Sequence, residues 1–130
     1  MTVMSCIPVV PSADLERSLR LWRDGLGFDE TWWEQRREGK LVGCGLRSGQ
    51  IMVMLNIRSE RPEPPADYDG VRFYWAPDDI HALRERLLEL GYAASAVEER
   101  DYGQSEFFLT DDDGVEHCFG VSTESLGAAR

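Results

Sequence analysis

Positive charge is scarce in this chain, histidine and cysteine are scarcer, and no apolar run is long. Fourteen Lys and Arg stand against 24 Asp and Glu in 130 residues, giving a formal charge of −10. Binding to nucleic acid rests on Lys and Arg that neutralise phosphates, so a surface of this sign argues against a nucleic-acid partner. Nowhere does an apolar stretch approach the ~20 residues of a helical membrane span. The opening Met1-Thr2-Val3-Met4-Ser5 has neither the charged nor the apolar part of a secretory leader. A cytoplasmic protein without a membrane partner is the expectation. The three cysteines, Cys6, Cys44 and Cys118, are odd in number and widely spaced, which suits neither a disulfide framework nor a cysteine-based zinc site.

What remains is globular in composition, with 42% hydrophobic and 29% charged residues. A chain of this length is one ordinary domain and buries about two-thirds of its unfolded surface. The acidic surface would keep it soluble and would draw in a cationic ligand.

An internal repeat organises the sequence. Ile7-Pro8-Val9-Val10 reads as a strand, followed by a helix from Asp14 to Leu26 with Leu15, Leu19, Trp22 and Leu26 on one face. Ser12 or Asp14 can cap its start. Gly27-Phe28 ends it, and strands follow through Trp32-Trp33, from Lys40 to Leu46 and from Gln50 to Ile57. A proline-rich, charged connection, residues 59–69, separates this from a second round. There a strand from Val71 to Ala76 precedes a helix from Asp79 to Leu90 that carries Ile80, Leu83, Leu87 and Leu90 on one face. Strands near Ala93 to Glu98, Ser105 to Thr110 and Val115 to Val121 complete it. Asp79 lies 65 residues after Asp14 and Gly114 lies 65 after Gly49, while Gly91-Tyr92 follows Gly27-Phe28 at 64. Such a unit is too long for a solenoid and too short for a comfortable independent domain, so two copies in one domain are expected.

The opening Ile7-Pro8-Val9-Val10, the helix Asp14-Leu15-Glu16-Arg17-Ser18-Leu19 and the closing Leu26-Gly27-Phe28 resemble the vicinal-oxygen-chelate superfamily of glyoxalases, dioxygenases and bleomycin-resistance proteins. The last of these branches is the most similar. Tyr102-Gly103-Gln104-Ser105-Glu106-Phe107 and Asp111-Asp112-Asp113-Gly114 are similar to its closing signature, with Ser105 in place of the usual Arg and Asp112 in place of the usual Pro. The matches span roughly residues 7 to 121. The resemblance implies an α+β fold: two tandem βαβββ modules forming a half-open, sheet-lined cup with helices outside. Module 1 would span about 5–58, the linker 59–69, module 2 about 70–122 and a C-terminal tail 123–130, all within a single domain. It also implies a homodimer whose cavities involve both chains.

Metal-dependent members take ligands from the first and last strands of each module. By register those positions fall on Ile7 and Val53 in the first module and on Arg72 and Cys118 in the second. These four cannot make the oxygen and nitrogen shell of such an ion, so no metal and no cofactor are expected. Glu116 shares the Cys118 face of its strand and His117 points the other way. His81 reads as a solvated helix residue.

Alternation along the strands lines the expected cup with Ile7, Val9, Ile51, Val53, Leu55, Tyr74 and Cys118, with Arg72 and Glu116 as polar exceptions that should pair with each other. Met52, Met54, Phe73, Trp75 and Phe119 then fall under the helices. Trp32 and Trp33, adjacent on one strand, should face opposite ways. The resemblance places Trp32 and Tyr102 where bleomycin-resistance proteins set aromatic residues against the flat part of the drug. A metal-free small-molecule binding protein that sequesters a hydrophobic or cationic aromatic compound is the leading expectation, with Trp32, Tyr102, Val53, Arg72, Tyr74, Glu116, Cys118 and Ile7 at its site. The alternatives are a metal-dependent lyase, isomerase or dioxygenase of the same fold, a metal-free enzyme using Glu116, Glu106 or Tyr102 as acid or base, and a dimeric scaffold whose cavity is filled by its own side chains.

Overall fold

A computed structural model of the chain describes residues 1–57 and 70–128, so the connection expected at 59–69 lies outside the described residues. The fold divides into two compact units, Met1–Pro64 and Pro65–Arg130. Each has the order βαβββ, and the fold class is α+β.

In the first unit, β1 (Val9–Ser12) leads to α1 (Leu15–Leu19), and the helix continues as a π-helical segment, Arg20–Gly25. Strands β2 (Glu30–Arg37), β3 (Lys40–Ser48) and β4 (Ile51–Ile57) follow. They form an open sheet in the order β1-β4-β3-β2, with β1 parallel to β4 and the other pairs antiparallel. Of the two candidate caps, Asp14 closes the helix start, accepting from the Arg17 backbone N–H at 3.2 Å. The Ser12 and Ser18 hydroxyls share a hydrogen bond of 2.5 Å instead. The helix does not keep its expected stripe. Leu26 N–H reaches back five residues to the Leu21 carbonyl, and the wider turn brings Leu21 into the core beside Leu15 and Trp22 while Leu19 and Leu26 are only half-buried.

The second unit comprises β5 (Phe73–Trp75), α2 (Ile80–Glu89), β6 (Glu98–Glu99), β7 (Gln104–Thr110), β8 (Glu116–Ser122) and α3 (Thr123–Ala128). Its sheet order, β5-β8-β7-β6, repeats that of the first. Asp79 caps α2 through the Ala82 N–H at 3.0 Å. Gly27 and Gly91 end their helices at φ of 86° and 94°. In each case the next aromatic residue donates its backbone N–H back into the last turn, Phe28 six residues to Trp22 and Tyr92 five residues to Leu87. Two expectations shift here. The strand expected at Ala93 to Glu98 is reduced to Glu98–Glu99, because the Ser95 hydroxyl takes the Phe108 N–H at 2.8 Å and interrupts the ladder. The expected tail contains the short helix α3.

Pairing decides which strand residues share a face. In the second unit Phe73, Trp75, His117, Phe119, Phe107 and Leu109 share one face, where α2 contributes buried Ile80, Leu83 and Leu87. Tyr74, Glu116, Cys118, Gly120, Glu106 and Phe108 share the other. The first unit departs from the sequence register. Val9 pairs with Met54 and Val10 with Leu55, whereas Tyr74, 65 residues after Val9, pairs with Cys118. Cys118 therefore corresponds to Met54 and not to Val53. The physical cause lies in the hairpins: Ser48 faces Ile51 across two residues, while Thr110 faces Glu116 across five. The aligned glycines, Gly49 and Gly114, thus sit at different points of their turns. One residue of slip inverts every side chain, so Val53 and Leu55 join Val10, Cys44 and Leu46 in the core, and Met52 and Met54 turn to the face without helices.

Candidate functional site

The helix-free face of the second unit carries a carboxylate that its neighbours bury. Glu106, in the middle of β7, is only 1% exposed. It accepts from the Tyr74 hydroxyl at 2.5 Å and from the Tyr102 hydroxyl, and Arg100 Nε lies 3.6 Å from it. Tyr74 comes from β5, two strands away. It reaches Glu106 because β8 has Gly120 between them: a Cβ at Gly120 would collide with the Tyr74 ring and hydroxyl. The phenol therefore lies across the sheet. Tyr102 arrives from the turn before β7. Both rings remain largely open to solvent, Tyr74 at 57% and Tyr102 at 63%.

The electrostatics follow from this arrangement. Partial burial and the Glu106 charge push the Tyr74 phenol well above its ordinary range. The hydrogen bond to Glu106 is the main cause that raises Tyr102. Both tyrosines are therefore protonated donors at neutral pH. Cys118, beneath them, is pushed up to about 11, mainly by burial and then by Glu106, so it is an inert thiol there. At the end of the same face Arg72 pairs with Glu116 at 3.7 Å, as the sequence suggested, but both side chains are exposed, so the pair is a solvated one.

The first unit has a counterpart. Trp32 lies flat against Gly45 of β3, where a Cβ would strike its ring, and its indole N–H donates to the Leu46 carbonyl at 3.1 Å. The ring is 36% exposed. Trp33 covers Gly43 in the same way. Because Gly43 and Gly45 are two residues apart on one strand, the two indoles occupy one face, against the expectation that they would face opposite ways. The reason is a bulge: pairing passes from Thr31 opposite Leu46 to Trp33 opposite Gly45, leaving Trp32 as the extra residue.

The site residues expected from sequence thus divide. Tyr74, Cys118 and Glu116 share the second unit's helix-free face, with Arg72 at its end and Tyr102 joined through Glu106. Trp32 belongs to the first unit, where Ile7 precedes β1 and is half-buried. Val53 is withdrawn into the core for the register reason given above. Sequence reading missed Glu106 as the anchor, and it missed Gly45, Gly120 and Arg100 altogether. The only signal for the glycines was their position inside strands, where a close approach by another group is one of the few explanations.

The donor set does not fit the divalent ion that the fold's metal-dependent relatives would hold. The first unit offers Ile7 and Met54 at the ligand positions, the second Arg72 and Cys118. Among the described residues no three His, Cys, Asp or Glu side chains cluster as ligands would. His117 is fully buried on the opposite face. Its Nδ1 accepts from the Trp75 indole at 3.0 Å and its Nε2 lies 2.9 Å from Asp111, which makes it a core histidine.

The family model described as Glyoxalase/Bleomycin resistance protein/Dioxygenase superfamily matches residues 7–119. Among solved structures, a fosfomycin resistance protein, FosX from Mesorhizobium loti, superposes with a TM-score of 0.69 at 19% identity, covering 100% of both chains. A bleomycin-binding protein complexed with bleomycin gives 0.65 at 18% identity, covering 91% of this chain and 98% of that one. The bleomycin-binding protein of bleomycin-producing Streptomyces verticillus, complexed with copper(II)-bleomycin, gives 0.61 at 23% identity, with coverage of 92% and 96%. At these identities the likeness is one of fold. No curated protein matches the chain in sequence.

Proposed function

Since the chain belongs to the glyoxalase/bleomycin resistance protein/dioxygenase superfamily, we propose that it is a metal-free small-molecule binding protein that takes up a planar, cationic aromatic compound on the helix-free sheet face of its second unit. The observation that carries this reading is the pair of exposed phenol rings, Tyr74 and Tyr102, both held by the buried Glu106 carboxylate. Rings fixed in this way lose little freedom when a ligand stacks on them. Donation of both hydroxyls to an anion enriches the ring faces, which already attract cations through their quadrupole. Glu98 and Glu106 together outweigh Arg100, and Glu116 offsets Arg72.

The bleomycin-binding proteins of the same fold supply a precedent for ligand class. Trp32 provides a second flat surface in the first unit. A homodimer and a cytoplasmic location belong to the same proposal. Val9, exposed on the helix-free face opposite Met54, and Ile51, exposed at the start of β4, are apolar residues that a partner copy could cover.

Calorimetric titration with N-methylquinolinium, set against neutral quinoline of nearly the same shape, tests the reading. The cation should bind more tightly, and Tyr74→Ala and Tyr102→Ala should each weaken it at least fivefold. Equal affinity for the two compounds, unchanged in both folded variants, would overturn it.

A further inference from the structure

In a chain with ten excess negative charges, one half-buried arginine has no carboxylate partner among the described residues. Arg47, on β3, has its Nε buried without any hydrogen-bond partner among the described residues. Among the described residues its one hydrogen bond runs from Nη2 to the Met52 sulfur at 3.6 Å, a weak acceptor. Glu30 stands directly opposite it on β2, yet no ion pair forms between them. Other half-buried or site-facing arginines are answered, Arg72 by Glu116, Arg100 by Glu98 and Glu106, and Arg84 by the Ser95 carbonyl.

Arg47 also has an informative place. It follows Gly45 by two residues, so it shares the helix-free face on which Trp32 lies flat, roughly 7 Å further along the strand. Met52, its partner on β4, and Met54 beside Gly45 make the rest of that surface apolar. A guanidinium fork matches a planar carboxylate through two parallel hydrogen bonds, and a flat indole with one open face suits a fused ring. We propose that Arg47 and Trp32 form a second receptor, on the first unit, for a flat aromatic carboxylate. This goes beyond the cation platform of the second unit and does not depend on it.

The test is a titration of the full chain with 2-naphthoate, followed by nitrogen-edited NMR of the Arg47 Nε–H and the Trp32 indole N–H, with 2-naphthylmethanol as the uncharged control. Both signals should move with one saturable dissociation constant, and naphthoate should bind at least tenfold more tightly than the alcohol. Arg47→Gln should remove that advantage while leaving N-methylquinolinium binding unchanged. If the glutamine variant fails to fold, Arg47→Lys serves in its place. It keeps the charge and loses the fork, and it should weaken naphthoate at least threefold. Naphthoate binding no tighter than the alcohol, or unchanged in a folded Arg47 variant, overturns the proposal. Loss of the quinolinium result alone would remove the second-unit platform and leave this receptor standing.

Discussion

The Tyr74 hydroxyl donates to the Glu106 carboxylate at 2.5 Å although their strands are not neighbours. Gly120 on the strand between them makes room for the phenol to cross. One glycine therefore sets the position of an exposed ring, the solvation of a buried charge and the shape of the face around them.

Gly120→Val should lift Tyr74 off the sheet and leave Glu106 with one hydroxyl donor fewer. The expected cost is about 1–3 kcal/mol, combining overpacking with an under-satisfied buried carboxylate. Urea unfolding of the variant beside wild type measures it, and an unchanged midpoint would remove Gly120 from the argument.

Alkaline pH should destabilise the fold. Burial raises Cys44 and Cys118 from 9.0 to about 11 in the folded state, and Tyr74 and Tyr102 are raised as well. As pH passes 9 the unfolded chain gives up thiol protons that the folded chain retains, so stability present below pH 9 is lost progressively up to about 11. Melting temperatures recorded from pH 8 to 11 should fall, and less steeply in a Cys44→Ala, Cys118→Ala double variant. Exposed Cys6 should be the one thiol that a maleimide modifies quickly at neutral pH.

Trp32→Ala should weaken a ligand bound on the first unit by roughly 1–3 kcal/mol, since stacking and burial are lost together. Trp33→Ala is the informative companion, because both indoles lie on one face. Calorimetry on the two variants, each checked for folding, separates a binding ring from a supporting one.

Elemental analysis of the purified protein after mild dialysis should find no stoichiometric zinc, iron, manganese or nickel, since Ile7, Met54, Arg72 and Cys118 offer no coordination shell. About one such ion per chain would return the metal-enzyme reading to first place.

Sedimentation at micromolar concentration should show a dimer and not a species of 14.8 kDa. Such a species would mean that the exposed apolar strand residues Val9 and Ile51 need no partner copy.

Much of the architecture was legible because its signals are local. The caps Asp14 and Asp79, the helix-ending Gly27 and Gly91, and the strand-and-helix order recur at nearly fixed spacing, and each acts within a few residues of itself. The second unit's faces were also read correctly, from Tyr74 with Cys118 on one side to Phe73, Trp75 and Phe119 on the other. There the alternation runs unbroken from the motif that fixed it.

The first unit shows where such reading stops. Val53 was assigned to the open face and Met54 to the core, and the hairpin reversed them because two residues close one turn and five close the other. The tryptophans were expected on opposite sides, and a bulge put them on one. The sequence by itself determined the repeat, the fold class and the poverty of metal ligands, since residue identity and local conformational preference suffice for these. Tertiary structure alone decided which side chains share a face in the first unit and that Glu106 anchors two tyrosines from different parts of the chain. With a side-chain period of two, a single inserted residue changes every neighbour, and only the pairing between strands records where that residue lies.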